Sequence, residues 1–598
     1  IRYNPLYTIR GIYSIANPQV LVLINSIPIT NLYQGNRNQV WGGMPVKDIA
    51  RIEVVRGPGS ALFGADAFAG TINIITKTAE DINGTQAGVR AGSFNTKDAW
   101  LLHGKQWGGF DLAFSMELHS TDGQDEFITA DAQTASDQTH HTHASLAPGP
   151  VSMRADTLDT RLDVSRGDWR LRLGYQGRYD VGSGAGIAQA LDPQGSGDSD
   201  RYNADLTYRN PVFTGNWDVT AQLSYFSTTQ ITDLTLYPPG ALGLFPEGVI
   251  GNPHVYERHQ RLSLSGLYKG IQRHHITLGT GFTYGDLYKT TETKNFTAPL
   301  VPLGSVVDVT DTAPFLRPHD RSIYYGLVQD EWTFVRDWAL TTGLRWDHYS
   351  DFGDTVNPRL ALVWQTRFDL TSKLLYGRAF RAPSFAEQYN INNPVVLGNP
   401  ALRPETINTL ELVFDYHPLT DLHTGVSLFR YKMDDIIRFV PDPGATTSTA
   451  QNAGSQTGYG FEWETKWDVN RALGLSGNYA FQRSTDENSG HDAGNAPHHH
   501  VFARADWRFS PGWNLDTQVN WVAQRDREPT DVRPKIADYT TVDMVLRYQE
   551  KQAQWAATFA IRNLFDADAR APSPSPGSIT YDLPLPGRNA AVELQYDF

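Results

Sequence analysis

The segment WNLDTQVNW, residues 513–521, decides the reading of the fold. Trp513, Leu515, Thr517, Val519 and Trp521 alternate with Asn514, Asp516, Gln518 and Asn520. A β-strand sends successive side chains to opposite faces, so one face here is apolar and aromatic and the other carries amides and a carboxylate. That division suits a strand with lipid on one side and a polar lumen on the other. The alternation recurs in WRLRLGYQ (169–176), WDVTAQLSY (217–225) and WAATFAI (555–561).

The connections between such segments alternate in length. Short turns stand at Arg166-Gly167-Asp168, Val335-Arg336-Asp337 and Pro418-Leu419-Thr420, and long stretches at 121–155, 231–256, 290–320 and 381–405. Membrane barrels have short periplasmic turns and longer extracellular loops. A soluble sandwich also alternates, but its outer face need not stay charged or amide-bearing throughout. On the short-turn side the Arg-Gly-Asp tripeptide reads as a turn, not an adhesion motif. Segments from 85 to 598 number about 22, an even count as bacterial barrels require. The last, VELQYDF (592–598), alternates cleanly and ends on Phe598.

Composition agrees. The 598 residues are 40% hydrophobic, and no apolar run is long enough for a membrane helix. Fifteen Trp and 27 Tyr suit aromatic girdles at the membrane interface. There is no cysteine, hence no disulfide framework and no thiolate metal site. A net charge of -14 argues against nucleic acid as a partner. The chain opens on IRYNP without a charged or apolar leader, so a signal peptide was either removed or lies before an internal start.

The first eighty residues read differently. VLVLI (20–24), a turn at Asn25-Ser26 and Ile27-Pro28-Ile29 predict a tight hairpin in a small buried sheet. IARIEVVR (49–56) stops at Gly57-Pro58-Gly59, and GTINIITK (70–77) is a further strand. The glycines lack the Lys-Ser/Thr ending of a phosphate-binding loop and read as tight backbone packing.

VLVLINSIPIT (20–30) and IARIEVVRGPGSALFGADAFAGTINIITK (49–77), with their spacing, resemble the second half of the plug of TonB-dependent outer-membrane receptors. IRNLFDAD (561–568) and LPLPGRNAAVELQYDF (583–598) resemble the closing segments of that family's barrel. The resemblance implies an all-β transmembrane fold: an antiparallel barrel of about 22 strands, residues 81–598, with a partial α+β plug, residues 1–80, in its lumen. The family's plug begins before the Ile9-Arg10-Gly11 seen here, so the TonB box and about half the plug are expected outside this sequence.

The implied function is import of a scarce nutrient across the outer membrane of a Gram-negative bacterium, most often a ferric siderophore, by TonB-energised gating. TonB–ExbB–ExbD would engage through the missing N-terminal segment. Cobalamin and haem are alternative cargoes. A passive porin is a different class, and the plug motifs speak against it. No nucleophile elbow or paired-carboxylate motif suggests an enzyme, and no cofactor is required.

By the same resemblance, residues 31–41 form an apical plug loop facing the ligand. Tyr33, Gln34, Asn36, Arg37 and Trp41 are its candidate contacts, since a phenol, a fixed cation and an indole suit an anionic aromatic chelate; packing against the barrel wall is the alternative. FRAP (380–383) and NPALRPET (399–406) resemble boxes of haem receptors, but no histidine stands between Arg381 and Pro404, and loop anchoring is the preferred reading. His140, His141 and His143 lie in a long loop, as solvated side chains or as a metal or haem site. His498, His499 and His500 open a late strand and read as structural. Asp192, Asp198 and Asp200 in LDPQGSGDSD (191–200) have oxygen-donor spacing for a loop Ca²⁺, or form a solvated turn.

Overall fold

The computed structural model describes residues 8–14, 18–37, 43–549, 554–574 and 578–598. Among these, no helix is long and apolar enough to cross a membrane. Twenty-two long antiparallel strands close into one barrel. The last strand, Asn589–Asp597, pairs with the first, Gly84–Gly92, from Asp597↔Gln86 to Ala591↔Gly92. Closure matters physically, because lipid cannot satisfy the free amides of a sheet edge.

The period-two pattern sorts itself as the sequence predicts. Leu410, Leu412 and Phe414 point outward and are exposed, while Thr409 and Glu411, which alternate with them, are buried toward the lumen. Near the short turns the aromatics pair across strands, as in Trp169–Tyr208, Trp217–Tyr268, Trp338–Trp364 and Trp513–Tyr548, which builds the expected girdle at one rim. The turn at Gly167-Asp168 takes its two residues between Ala155–Arg166 and Trp169–Gly182.

Two long loops differ from the sequence reading. The stretch expected to loop at 231–256 is partly strand, since Trp217–Asp233 and Val249–Tyr268 extend well past the length a bilayer requires. At 290–320, His274–Thr297 runs on as a 24-residue strand and turns into a hairpin with Val301–Asp308. Threonines and alternating charges there keep β-structure going in water, where polarity alone suggested a loop.

Inside the barrel lies a four-stranded sheet in the order Ile27–Pro28, Val20–Ile24, Gly70–Thr76, Ile49–Arg56. Val20–Ile24 runs parallel to Gly70–Thr76, and a strand in that central position explains its unbroken apolar run. Asn25 and Ser26 both take positive φ, 50° and 70°, the tight hairpin turn whose twist matches its strands. After a short helix, Ala79–Ile82, the chain enters the barrel wall at Gly84.

The plug meets one side of the wall through an apolar cluster. Ile12, Val20, Phe68 and Ala69 pack on Ala379, Ile407, Phe429, Tyr431 and Met433. On another side a cavity of about 1060 Å³ separates plug and wall, reaching from Gly167-Asp168-Trp169 to Ser384.

Candidate functional site

The apical loop is held from two directions. The wall carboxylate Glu257 accepts from the backbone amides of Leu32 at 2.7 Å and Tyr33 at 2.9 Å. From above, the amides of Phe385 and Ala386 donate to the carbonyls of Leu32 and Tyr33 at 3.0 and 2.7 Å. Two consecutive peptides of the plug are thus gripped between the barrel wall and the extracellular loop 382–404. Hydrogen bonds to a charged acceptor are each worth roughly 1.5–3 kcal/mol, so Glu257 is a strong anchor.

The gripping loop is itself built on FRAP and NPALRPET. Arg381 is buried and donates to Glu405 at 2.7 and 2.8 Å and to Glu387 at 2.9 and 3.0 Å. Burial opposes the ionisation of Glu387, and Arg381 more than offsets it, so its carboxyl lies below the usual range. Ser384 and Glu387 form a reciprocal capping box that starts the helix Phe385–Tyr389. The two boxes therefore anchor a loop, the reading preferred from the sequence.

The predicted contacts sit as follows. Tyr33 packs edge-on against Phe315, 5.6 Å between centroids, in an apolar cluster with Leu32, Leu287 and Phe385, and burial pushes its phenol up. Arg37 is 1% exposed and donates to the Val20 carbonyl at 2.8 Å. Asn36 is buried, and its side chain links Asn31 and Gln34 at 2.9 and 3.1 Å. Tyr33, Gln34 and Gly35 are the partly exposed residues of the described tip. Trp41 lies outside the described residues. Most of the polar groups expected to face a ligand thus shape the loop: Asn31, Gln34 and Asn36 bond one another, and Arg37 bonds the Val20 carbonyl.

The other candidates are dispersed. His140, His141 and His143 are exposed at the end of the loop helix Ala132–His140. Asp192 accepts from the amides of Gly195 and Thr235, Asp198 from that of Asp180, and Asp200 from the hydroxyls of Tyr175 and Tyr179. Each carboxylate serves a separate part of its loop. Among the described residues, the two groups of three His/Asp ligands that converge are Asp415-His417-His423 and Asp492-His498-Asp526.

A second contact holds the plug lower down. Arg10 reaches Glu411 at 2.8 Å and Glu462 at 3.2 Å, and Arg56 reaches Glu462 at 3.2 Å and Glu464 at 3.0 Å. Burial works against the charge of Arg10, and Glu411 and Glu462 outweigh it, raising its pKa. Sequence reading passed over these groups. Both arginines stand inside the quoted motifs, but lumen-facing glutamates are too common along the strands to mark their partners.

A plug in the lumen, gripped at its apex by an extracellular loop and latched to the wall by ion pairs, defines a plugged outer-membrane receptor barrel. Residues 148–564 match the family described as TonB dependent receptor-like, beta-barrel, and residues 2–71 match the TonB-dependent Receptor Plug Domain. The chain belongs to the TonB-dependent receptor family and resides in the outer membrane. It is 24% identical over 564 residues to the iron-regulated outer membrane virulence protein of Vibrio cholerae, covering 88% of this chain and 77% of that one. It is 23% identical over 444 residues to the vitamin B12 transporter of the same species, covering 73% and 62%. A mutant of the ferric enterobactin receptor of Pseudomonas aeruginosa shares its fold with a TM-score of 0.76 at 18% identity, covering 98% and 91%.

Proposed function

We propose that this chain imports a ferric siderophore, captured above the apical loop 31–37 and released inward when TonB–ExbB–ExbD disturbs the plug. The observation that carries the reading is the double grip on Leu32 and Tyr33, by Glu257 below and Phe385-Ala386 above. It ties an extracellular loop directly to the plug, so a ligand that shifts the loop 382–404 also shifts the plug. Relatives named for iron regulation and for ferric enterobactin support the iron chelate as cargo. The role is transport rather than catalysis. The partly exposed Gln34 is the proposed apical contact, with Arg37 setting the loop's shape.

The test is titration of the purified protein with ferric catecholate and hydroxamate siderophores, cobalamin and haem, followed by tryptophan quenching. Saturable quenching by one siderophore class, weakened in Gln34→Ala, is the expected result. Saturation by cobalamin or haem alone would sink the siderophore assignment while leaving the gated receptor standing.

A further inference from the structure

A carboxylate and two imidazoles meet at the periplasmic rim of the lumen, far from the apical grip. Asp415 and His417 lie two residues apart on the strand Glu405–Leu419, so the pleat places them on one face. Phe414, offset by one, is exposed outward with the lipid-facing leucines, which makes the Asp415 face lumenal. His423 belongs to the next strand, Leu422–Pro441, just past the turn Thr420-Asp421.

The three side chains converge. His423 Nε2 is 2.6 Å and His417 Nε2 3.3 Å from the same oxygen, Asp415 Oδ1. All three ligand atoms lie within 4.8 Å of one another. Two features go beyond an ordinary histidine–aspartate pair. The His423 contact has hydrogen-bond alignment, whereas His417 has the distance without it. The two rings also stack, with centroids 4.5 Å apart and planes at 23°. Lys373 Nζ approaches the other carboxylate oxygen at 3.6 Å and leaves Oδ1 to the histidines.

We propose that Asp415, His417 and His423 bind a divalent transition-metal ion at the lumenal exit. Two nitrogens and one oxygen favour zinc, nickel, copper(II) or iron(II) over calcium or magnesium, which prefer oxygen alone. All three ligands come from one hairpin, so the remaining coordination positions open to the lumen and to whatever passes through it. The other convergent group is a poorer candidate, since it offers one imidazole where this one offers two.

The experiment uses the whole chain in detergent, stripped with EDTA and titrated with Zn(II) by calorimetry, then loaded with Cu(II) for electron paramagnetic resonance. One equivalent should bind. His417→Ala and His423→Ala should each weaken it by at least about tenfold, and the double variant should lose it. The copper spectrum should show coupling to two nitrogens in the native chain and to one in each single variant. His498→Ala should bind as the native chain does. Heat-modifiable mobility in gels reports that each variant keeps its barrel. Absence of binding to the native chain, binding that survives in a folded double variant, or loss in His498→Ala would each overturn the assignment.

Discussion

Arg10 shows what a single buried charge does in this protein. Its side chain is 4% exposed and faces Glu411 at 9%. Removing one partner of a buried pair strands the other, at a cost of about 3–5 kcal/mol. Arg10→Ala should therefore lower plug stability by that amount, and Arg10→Ala with Glu411→Ala together should lose less than the sum of the single changes, as a double-mutant cycle in urea can read. Gly57 sits beside the same pair. Its φ of +83° disfavours any side chain, and a Cβ there would run into the Glu411 carboxylate and crowd Arg10. Gly57→Ala should thus release the latch without touching a charge, visible as easier proteolysis of the plug. The motif around Gly57 was legible in the sequence because the turn at Gly57-Pro58-Gly59 punctuates it. Its partners were not, since nothing local separates Glu411 or Glu257 from any other polar residue facing the lumen. The fold follows from short-range periodicity, whereas these contacts join residues some two to four hundred positions apart.

At the scale of elements, the loops divide into those built to hold still and those carried outward. The helix Phe385–Tyr389 has only five residues, too few to persist without its cap and its docking on the plug. Ser384→Ala removes half of the capping box and should cost about 1 kcal/mol. Its readout is faster hydrogen exchange at Phe385 and Ala386, whose amides grip the plug; unchanged exchange would show that docking alone holds the helix. The loop helix Ala132–His140 depends instead on Asp137. Burial opposes ionisation of this carboxyl, but donors from Thr142, Ser145, Gln133 and Ala144 outweigh it and lower its pKa from 3.8 to about 2. A depressed pKa means the stabilisation is complete above the ordinary value and lost as pH falls through the folded one. The loop should therefore stay protected near neutrality and open between about pH 4 and 2, with Asp137→Asn already open at neutral pH; protection factors across that range decide it. The sequence showed this as a histidine-bearing loop and missed the helix, because Asp131 and Thr134 cap it through side chains that also suit a turn. The strand extension at 274–297 escaped for a related reason: once strands leave the bilayer they lose the apolar face that made their neighbours readable.

On the scale of the whole molecule, two kinds of cohesion meet without merging. The barrel is a closed hydrogen-bond ladder whose first and last strands pair, so it has no edge at which to start unravelling. The plug is held to it by apolar clusters around Phe68 and around Leu32 and by a set of ion pairs and carbonyl contacts, among them Arg10 with Glu411 and Glu462, Lys47 with Glu593, and Arg345 with the Leu62 carbonyl. Such a joint suits the gating proposed above, in which the plug moves while its housing stays intact. Urea in detergent should accordingly give two transitions, the plug first and the barrel later. Because the chain has no cysteine, Ser26→Cys offers a unique labelling point on the exposed plug hairpin, and circular dichroism follows the barrel. Arg10→Ala should move the first midpoint down by about 1–5 M, taking the cost of the broken pair against the urea dependence of a small domain. The second midpoint should not move, since the latch contributes nothing to strand pairing around the ring. A single coincident transition, or a barrel midpoint that follows the latch, would mean that plug and barrel form one cooperative unit, and gating would then have to distort the wall as well as the plug.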